Sequence, residues 1–407
     1  DDLLMIPFSV KKALFKIRTT VLRGTAKILP FPKPTLFCGP GSSLELCEAV
    51  ALMGHRRVLI VTDHMLVEIG LLDGIQAKLA ELGIEFFVYE GIKPDPTIEQ
   101  IEAGFEMLKQ HDCEAILAVG GGSPIDAAKV IAARATNNKS IRRMEGLFRV
   151  FRSPLPLYAV PTTAGTGSEV TIAAVVSDPD RQSKFAVIDP KLVPAMAALD
   201  ASLMTGLPPA ITASTGMDAL THAVESYLSV NALPDTDSYA LAATRLIMEN
   251  LPVVMEDGQN LEARQRMSMA SYYAAVAFTR AGVGYVHAIS HNFGAYYHTP
   301  HGLANAVVMP YVLDFSEPAC TARLAKLAEA GGLKHEGDDD ATLAQKFISH
   351  IRSLNHQFGI PDKLETLKAD DIPGIARAVL KEAHGTYAVP RYMDRPTCES
   401  VIRRIMA

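Results

Sequence analysis

Ala115-Ile-Leu-Ala-Val-Gly-Gly-Gly-Ser-Pro-Ile-Asp126 is the stretch on which the fold turns. Its apolar run, Ala115 to Val119, reads as a buried strand that ends in three glycines, and a helix follows over Ala127 to Ala133. Glycines let the backbone approach a phosphate closely, and the N–H groups of a helix opening at Ser123 point at that anion. The usual dinucleotide fingerprint is not met, because the third glycine of G-x-G-x-x-G would fall at Ile125. The sequence therefore predicts a different phosphate cradle, or a tight turn.

Working outward, the same rhythm recurs on both sides. Upstream lie a strand over Arg57 to Thr62 that ends at Asp63, a helix over Leu71 to Leu82, and a strand over Phe86 to Glu90. Pro94-Asp-Pro-Thr97 then opens a helix that runs through Lys109. Downstream, the strand Leu157 to Val160 runs into Pro161-Thr-Thr-Ala-Gly-Thr-Gly-Ser-Glu169, and Lys184 to Asp189 reads as a further strand. Strand and helix in alternation predict right-handed βαβ units with a ligand crevice at the carboxyl ends of the strands. Two small, hydroxylated loops after two strands of one sheet favour a nucleotide there. Beyond about Leu203 the pattern becomes helical, over Met217 to Val230, Thr236 to Asn250, Leu261 to Ala281, Val286 to Tyr297, Thr321 to Ala330, Ala341 to Phe358 and Ile372 to Glu382. We expect an α/β nucleotide-binding domain over 31–203 and an all-helical domain over 204–407, after a separate segment 1–30.

The helical part holds the second candidate site. Gly284 to Asn305 carries His287, His291, His298 and His301, four of the chain's 12 histidines. His287 and His291 are four apart and share a helical face, and His301 follows a Thr-Pro break that starts a new segment. Upstream, Asp218 and His222 are also one turn apart. A carboxylate with two or three neutral imidazoles suits Fe²⁺, Zn²⁺ or a similar divalent ion. The phosphate loops lie in the first domain and these residues in the second, so the interdomain cleft is where the two would meet.

Composition narrows the class. A formal charge of −6 with dispersed cations gives no basic footprint for nucleic acid. The 5 cysteines are widely spaced without a CxxC pair, which points to a reducing cytoplasm rather than a disulfide framework. No apolar run approaches a membrane span. Residues 3–30 stand apart: Lys11, Lys12, Lys16, Arg18, Arg23 and Lys27 are interleaved with Val10, Leu14, Ile17 and Val21 at helical spacing. This predicts a basic amphipathic helix whose apolar stripe packs on its own subunit or a twin; contact with an anionic membrane surface or a partner, or the remnant of a targeting sequence, are the other readings.

From Phe31 onward the chain resembles the iron-dependent (group III) alcohol dehydrogenases. Four signatures occur in order: Pro94 to Thr97; Gly120 to Asp126 with Lys129; Pro161 to Glu169; and Gly216-Met-Asp-Ala-Leu-Thr-His222 with the histidine-rich stretch. The resemblance implies a dehydroquinate synthase-like architecture. It implies metal ligands at Asp218, His222, His287 and His301, with His291 lining the site. It places the cofactor on Asp63, Asp95, Gly122, Ser123, Asp126, Thr162, Thr163, Thr166 and Lys184. The expected activity is reversible hydride transfer between a small alcohol and NAD, with NADP disfavoured by Asp63, by a homo-oligomer holding Fe²⁺ or another divalent ion. Two departures are the longer basic segment before Phe31 and Val389-Pro-Arg391, where many members have Asn-Pro-Arg. A zinc-dependent glycerol dehydrogenase-like enzyme, a dehydroquinate synthase-like lyase and a nucleotide- and metal-sensing binding protein are the rival readings.

Overall fold

The computed structural model describes residues 7–28, 31–181 and 183–407. Among the described residues the nine strands are β1 (Thr35–Cys38), β2 (Arg57–Val61), β3 (Glu85–Tyr89), β4 (Ala115–Gly120), β5 (Gly146–Leu147), β6 (Leu157–Pro161), β7 (Ala173–Asp178), β8 (Ser183–Ile188) and β9 (Met196–Leu199). Described α-helices of the first half are α1 (Phe8–Ile28), α2 (Ser42–Leu52), α3 (His64–Glu68), α4 (Asp73–Glu81), α5 (Ile98–Gln110) and α6 (Gly122–Thr136). Those of the second half are α7 (Pro209–Leu228), α8 (Pro234–Glu256), α9 (Leu261–Ala281), α10 (Tyr285–Tyr297), α11 (His301–Ala330), α12 (Asp340–Gln357), α13 (Ile372–Thr386) and α14 (Arg395–Ile405). The chain forms two compact units. One holds residues 31–207 and Gly258–Tyr272; the other holds Pro208–Asp257, Tyr273–Ala407 and the N-terminal helix. The opening of α9 thus groups with the α/β unit and α1 with the helical unit, a division that follows contact rather than chain order.

In the α/β unit, six strands pair in parallel in the order β1-β9-β6-β4-β2-β3, and β5-β8-β7 form a small second sheet. Continuous apolar strands feed two cores because successive side chains leave opposite faces. Leu59, Val61, Ile116 and Ala118 pack with Ile101, Phe105 and Ile131 of α5 and α6. Val58, Ile60, Leu117 and Val119 pack with Leu46, Val50, Ile75 and Leu79 of α2 and α4. β3 and β4 flank β2 on opposite sides, so the carboxyl ends of β2 and β4 bracket a topological switch point, where open α/β sheets bind ligands.

Several elements differ from the sequence expectation. α6 begins at Gly122 rather than Ala127, since Pro124 sits in the first turn, where its missing N–H has no helical partner to lose. β9 is alanine-rich and short, and pairing with β1 and β6 rather than propensity makes it a strand. α11 runs from His301 through Pro310 and Pro318, with non-helical dihedrals at Cys320 where it kinks. Only its last turns were expected as a helix, because prolines read as breakers.

α1 is helical, as its spacing predicts, but the face it packs on its own chain is not the Val10, Leu14 and Ile17 stripe. The Phe15 ring lies tilted against His384 of α13 at 4.4 Å and against Tyr392 at 5.4 Å, and Thr19 is buried. Val10, Leu14 and Ile17, the stripe expected to pack, are 49%, 50% and 62% exposed. Residues 3–6, 29 and 30, and the side chains of Val21, Arg23 and Lys27, lie outside the described residues.

Candidate active site

Asp218 and His222 project from α7 one turn apart, His287 comes from the first turn of α10, and His301 is the first residue of α11. The Thr299-Pro300 break that separates α10 from α11 lets two helix starts converge on α7. One ligand atom from each of the four residues lies within 4.8 Å of the others. Asp218, His222 and His287 are buried, and the His301 side chain is 41% exposed, which gives the cluster one open side. The His222 ring lies between Phe278, 4.2 Å away at 19°, and His287, 4.7 Å away at 26°.

The hydrogen bonds within the cluster leave its lone pairs in surplus. The Asn305 amide Nδ2 donates to Asp218 Oδ1 at 2.7 Å and meets Nε2 of both His287 and His301 at 3.2 Å. Three acceptors thus converge on one nitrogen that carries two hydrogens, while the Asn305 Oδ1 is buried without a partner. A surplus of converging lone pairs is what a divalent cation relieves, and nitrogen with carboxylate oxygen suits iron or zinc.

Glu225, one turn beyond His222 on α7, orders this arrangement. Its Oε2 accepts from His287 Nδ1 at 2.6 Å and from the Gly284 N–H at 2.8 Å, and its Oε1 accepts from the Val286 N–H at 2.7 Å. One carboxylate therefore caps α10 and fixes the His287 tautomer, turning Nε2 toward Asp218 and His301. A Cβ at Gly284 would lie 2.8 Å from Glu225 Oε1, so only glycine admits this approach. Burial holds His287 well below its ordinary value, with His222, His301 and His291 acting the same way, which keeps the ring neutral. Burial pushes the Glu225 carboxyl up to about 7 against the N–H donors that hold it down.

His291 lies beside the cluster. Its ring stacks on His301 at 5.3 Å and 16°, and its Nδ1 is 2.8 Å from Glu382 Oε1, which also accepts from the Tyr387 hydroxyl at 2.7 Å.

In the α/β unit the two glycine-rich loops are neighbours. Gly120 and Pro161 are register partners, and the Thr162 N–H donates to the Gly120 carbonyl at 3.0 Å. A Cβ at Gly122 would meet Thr166 Cγ2 at 2.9 Å, and one at Gly121 would meet Thr163 Oγ1 at 3.4 Å. Ser123 sits in the first turn of α6, where its hydroxyl accepts from the Asp95 N–H at 3.3 Å. Asp95 adopts a left-handed φ of 60° and pairs with Lys184 at 2.7 Å. Asp63 stands at the end of β2 and caps α3, its Oδ1 accepting from the Leu66 N–H at 3.1 Å. Asp126 turns inward, with Oδ1 accepting from the Ser168 hydroxyl and Oδ2 from the Val175 N–H at 2.9 Å. The neighbouring Lys129 is fully buried. It donates to the Thr171 carbonyl at 2.9 Å and the Ala173 carbonyl at 2.8 Å, and burial brings it down to about 8. Asp126 and Lys129 thus tie the Pro161 to Ala173 loop to α6.

Sequence reading missed Glu225, Asn305, Glu382 and Tyr387. Two carried a signal: Glu225 and Asn305 fall three and four residues after a ligand candidate in a helix, and so on the same face. Glu382 and Tyr387 are distant in sequence from His291 and carried none.

A family model described as iron-containing alcohol dehydrogenase matches residues 33–201, and one for the C-terminal part of that family matches 212–406. The chain is 38% identical over 354 residues to an NAD-dependent methanol dehydrogenase of Bacillus methanolicus, covering 86% of this chain and 93% of that one. It is 37% identical over 372 residues to a 1,3-propanediol dehydrogenase of Klebsiella pneumoniae, covering 90% and 96%. The crystal structure of a 1,3-propanediol oxidoreductase superposes with a TM-score of 0.90 at 36% identity, covering 93% of this chain and 100% of that one.

Proposed function

Because the chain belongs to the iron-containing alcohol dehydrogenase family, we propose that Asp218, His222, His287 and His301 hold its iron, that the two glycine-rich loops hold NAD, and that short primary alcohols or diols are its substrates. The protein is an NAD-using, metal-dependent alcohol oxidoreductase with the dehydroquinate synthase-like fold. These matches lend no support to the lyase, glycerol dehydrogenase or sensor readings. The observation that carries the site assignment is the convergence of Asp218, His287 and His301 on Asn305 Nδ2.

Held by Asp218, His222, His287 and His301, a divalent ion would supply a Lewis acid for the alcohol oxygen, and NAD held at the glycine-rich loops would supply the hydride acceptor. The rest of the chemistry falls to side chains. Glu225 holds the His287 Nδ1 proton, leaving the Nε2 lone pair for ligation. His291, with Nδ1 committed to Glu382, offers Nε2 to the hydroxyl proton that alcohol oxidation releases. Ser123 and the opening N–H groups of α6 bind phosphate, and Thr162, Thr163 and Thr166 close the cradle from the adjacent loop. Asp63 accepts from ribose hydroxyls with the oxygen that does not cap α3, and its charge repels a 2′-phosphate. Asp126 acts by positioning, because both of its oxygens already hold the loop.

The substrate class is drawn from the methanol and propanediol dehydrogenases that the chain resembles. Among the described residues no helix is long and apolar enough to cross a membrane. Five free cysteines suit a reducing, cytoplasmic setting, and we assign a homo-oligomer. The test is an alcohol panel assayed at the NADH absorbance band, on protein reconstituted separately with Fe²⁺ and Zn²⁺. Methanol, ethanol and 1,3-propanediol should reduce NAD in the iron form. Turnover that survives quantitative removal of metal would refute the site assignment.

A further inference from the structure

Nothing in the oxidoreductase chemistry uses α1, yet its sequence is the most biased in the chain: six cations and no acid between residues 7 and 28. The helix carries two apolar arcs. Phe8, Phe15 and Thr19 are spaced by seven and four residues and face the helical unit, where the Phe8 and Phe15 rings lie 6.2 and 4.4 Å from His384. Val10, Leu14 and Ile17, spaced by four and three, fall on the opposite side of a helix with 3.6 residues per turn, and their 49%, 50% and 62% exposures show that arc facing outward. The same spacing sets Arg18 and Lys11 beside the outer arc on one side and Lys16 farther round on the other, whereas Lys12 falls on the inward side, its Nζ 5.6 Å from the Phe8 ring. A helix fixed to its own subunit by one face therefore presents an aliphatic strip with Arg18 and Lys11 along one border and Lys16 toward the other.

We propose that this outer face of α1 docks the enzyme on an anionic lipid surface, as a reversible peripheral contact. The strip enters the boundary between headgroups and acyl chains while Arg18, Lys11 and Lys16 meet acidic headgroups, the arrangement of interfacial amphipathic helices. Charge decides against a second copy of the chain. Two such strips laid face to face would bring lysine and arginine against lysine and arginine, with no carboxylate in the helix to relieve them. The form of the strip decides against an acidic protein. Protein interfaces are anchored by aromatic side chains seated in pockets, and both aromatic residues of α1 are spent on its own subunit. What remains outside is aliphatic, narrow and half-exposed, which a fluid apolar layer accepts and a shaped pocket does not require.

The test uses the full-length, metal-loaded enzyme sedimented with vesicles of phosphatidylcholine alone or of phosphatidylcholine mixed with phosphatidylserine. Binding is expected to the mixed vesicles, to fall as salt is raised, and to be absent with the neutral ones. Leu14→Asp and Ile17→Asp should abolish it. Lys16→Gln should weaken it about fivefold, the worth of one surface cation near an anionic membrane. All three variants should keep wild-type metal content and turnover, which separates lost docking from lost folding. The proposal is overturned if mixed vesicles bind no more protein than neutral ones, or if Leu14→Asp binds them as the wild type does. It is equally overturned if soluble polyglutamate binds in a Leu14-dependent way while vesicles do not, or if Leu14→Asp changes only the mass of the assembly in the absence of lipid.

Discussion

The Asp218, His222, His287 and His301 cluster of the helical unit and the glycine-rich loops of the α/β unit are built of different materials. The cluster is made of side chains whose protonation must be fixed, so it is buried and braced: Glu225 holds His287, Asn305 Nδ2 spans three acceptors, and burial keeps His287 neutral. The loops are made largely of backbone and small hydroxyls, and their charged residues mostly support rather than contact. Asp126 and Lys129 lie beneath the Pro161 to Ala173 loop, and Asp63 spends one oxygen on a helix cap. A metal site is thus sensitive to the loss of atoms, and a phosphate cradle to the addition of them.

That contrast can be broken by substitution. The largest effect belongs to Asp218→Ala or His301→Ala, which should remove the metal and with it turnover, a loss of at least about a thousandfold. NADH affinity by fluorescence titration should stay within about twofold, since the loops contain neither residue. Stoichiometric metal in either purified variant, by elemental analysis, would contradict the ligand set. Next comes Glu225→Ala, which should weaken metal binding about 10- to 100-fold in a chelator competition, the usual cost of losing a residue that orients a ligand histidine. Glu225→Gln should not rescue it, because its NH₂ must face one of three N–H donors. Full metal affinity in the glutamine variant would show that the carboxylate serves only packing.

The loops should answer to addition instead. Gly122→Ala places a methyl 2.9 Å from Thr166 Cγ2 and should raise KM for NAD about tenfold, the scale of overpacking by one methyl, with metal content unchanged. An unaltered KM would mean that the Thr162 to Thr166 loop yields freely and is no cradle. The smallest effect is Asp63→Gly, which should narrow the NAD to NADP ratio of kcat/KM about fivefold by removing a like charge. Glycine is the fitting replacement, since it costs a cap only a few tenths of a kcal/mol and leaves α3 in place. A ratio that does not move would leave Asp63 as a cap alone.

Much of both sites was legible in the chain. The spacing of Asp218 with His222 and of His287 with His291 fixes shared faces because a helix repeats every 3.6 residues, and the runs Arg57 to Val61 and Ala115 to Val119 announce strands covered on both sides. Legibility failed where an element owes its form to its neighbours. β9 is a strand because β1 and β6 hold it, and α11 stays helical past two prolines because its packing tolerates a kink at Cys320. It failed again where partners are remote in sequence, as with Glu382 beside His291.

α1 marks the division most plainly. The sequence by itself determined that residues 3–30 hold a cationic helix with an apolar stripe at Val10, Leu14, Ile17 and Val21, because periodicity is a property of the local chain. Only the tertiary structure decided that Phe8 and Phe15 pack inward while Val10, Leu14 and Ile17 face out. In the same way, the sequence supplied the histidines and aspartate, and the fold chose which lone pairs converge and which carboxylate turns His287 toward them. A pattern of faces is written in one segment, whereas burial and hydrogen bonding depend on the surface that a distant segment brings to meet it.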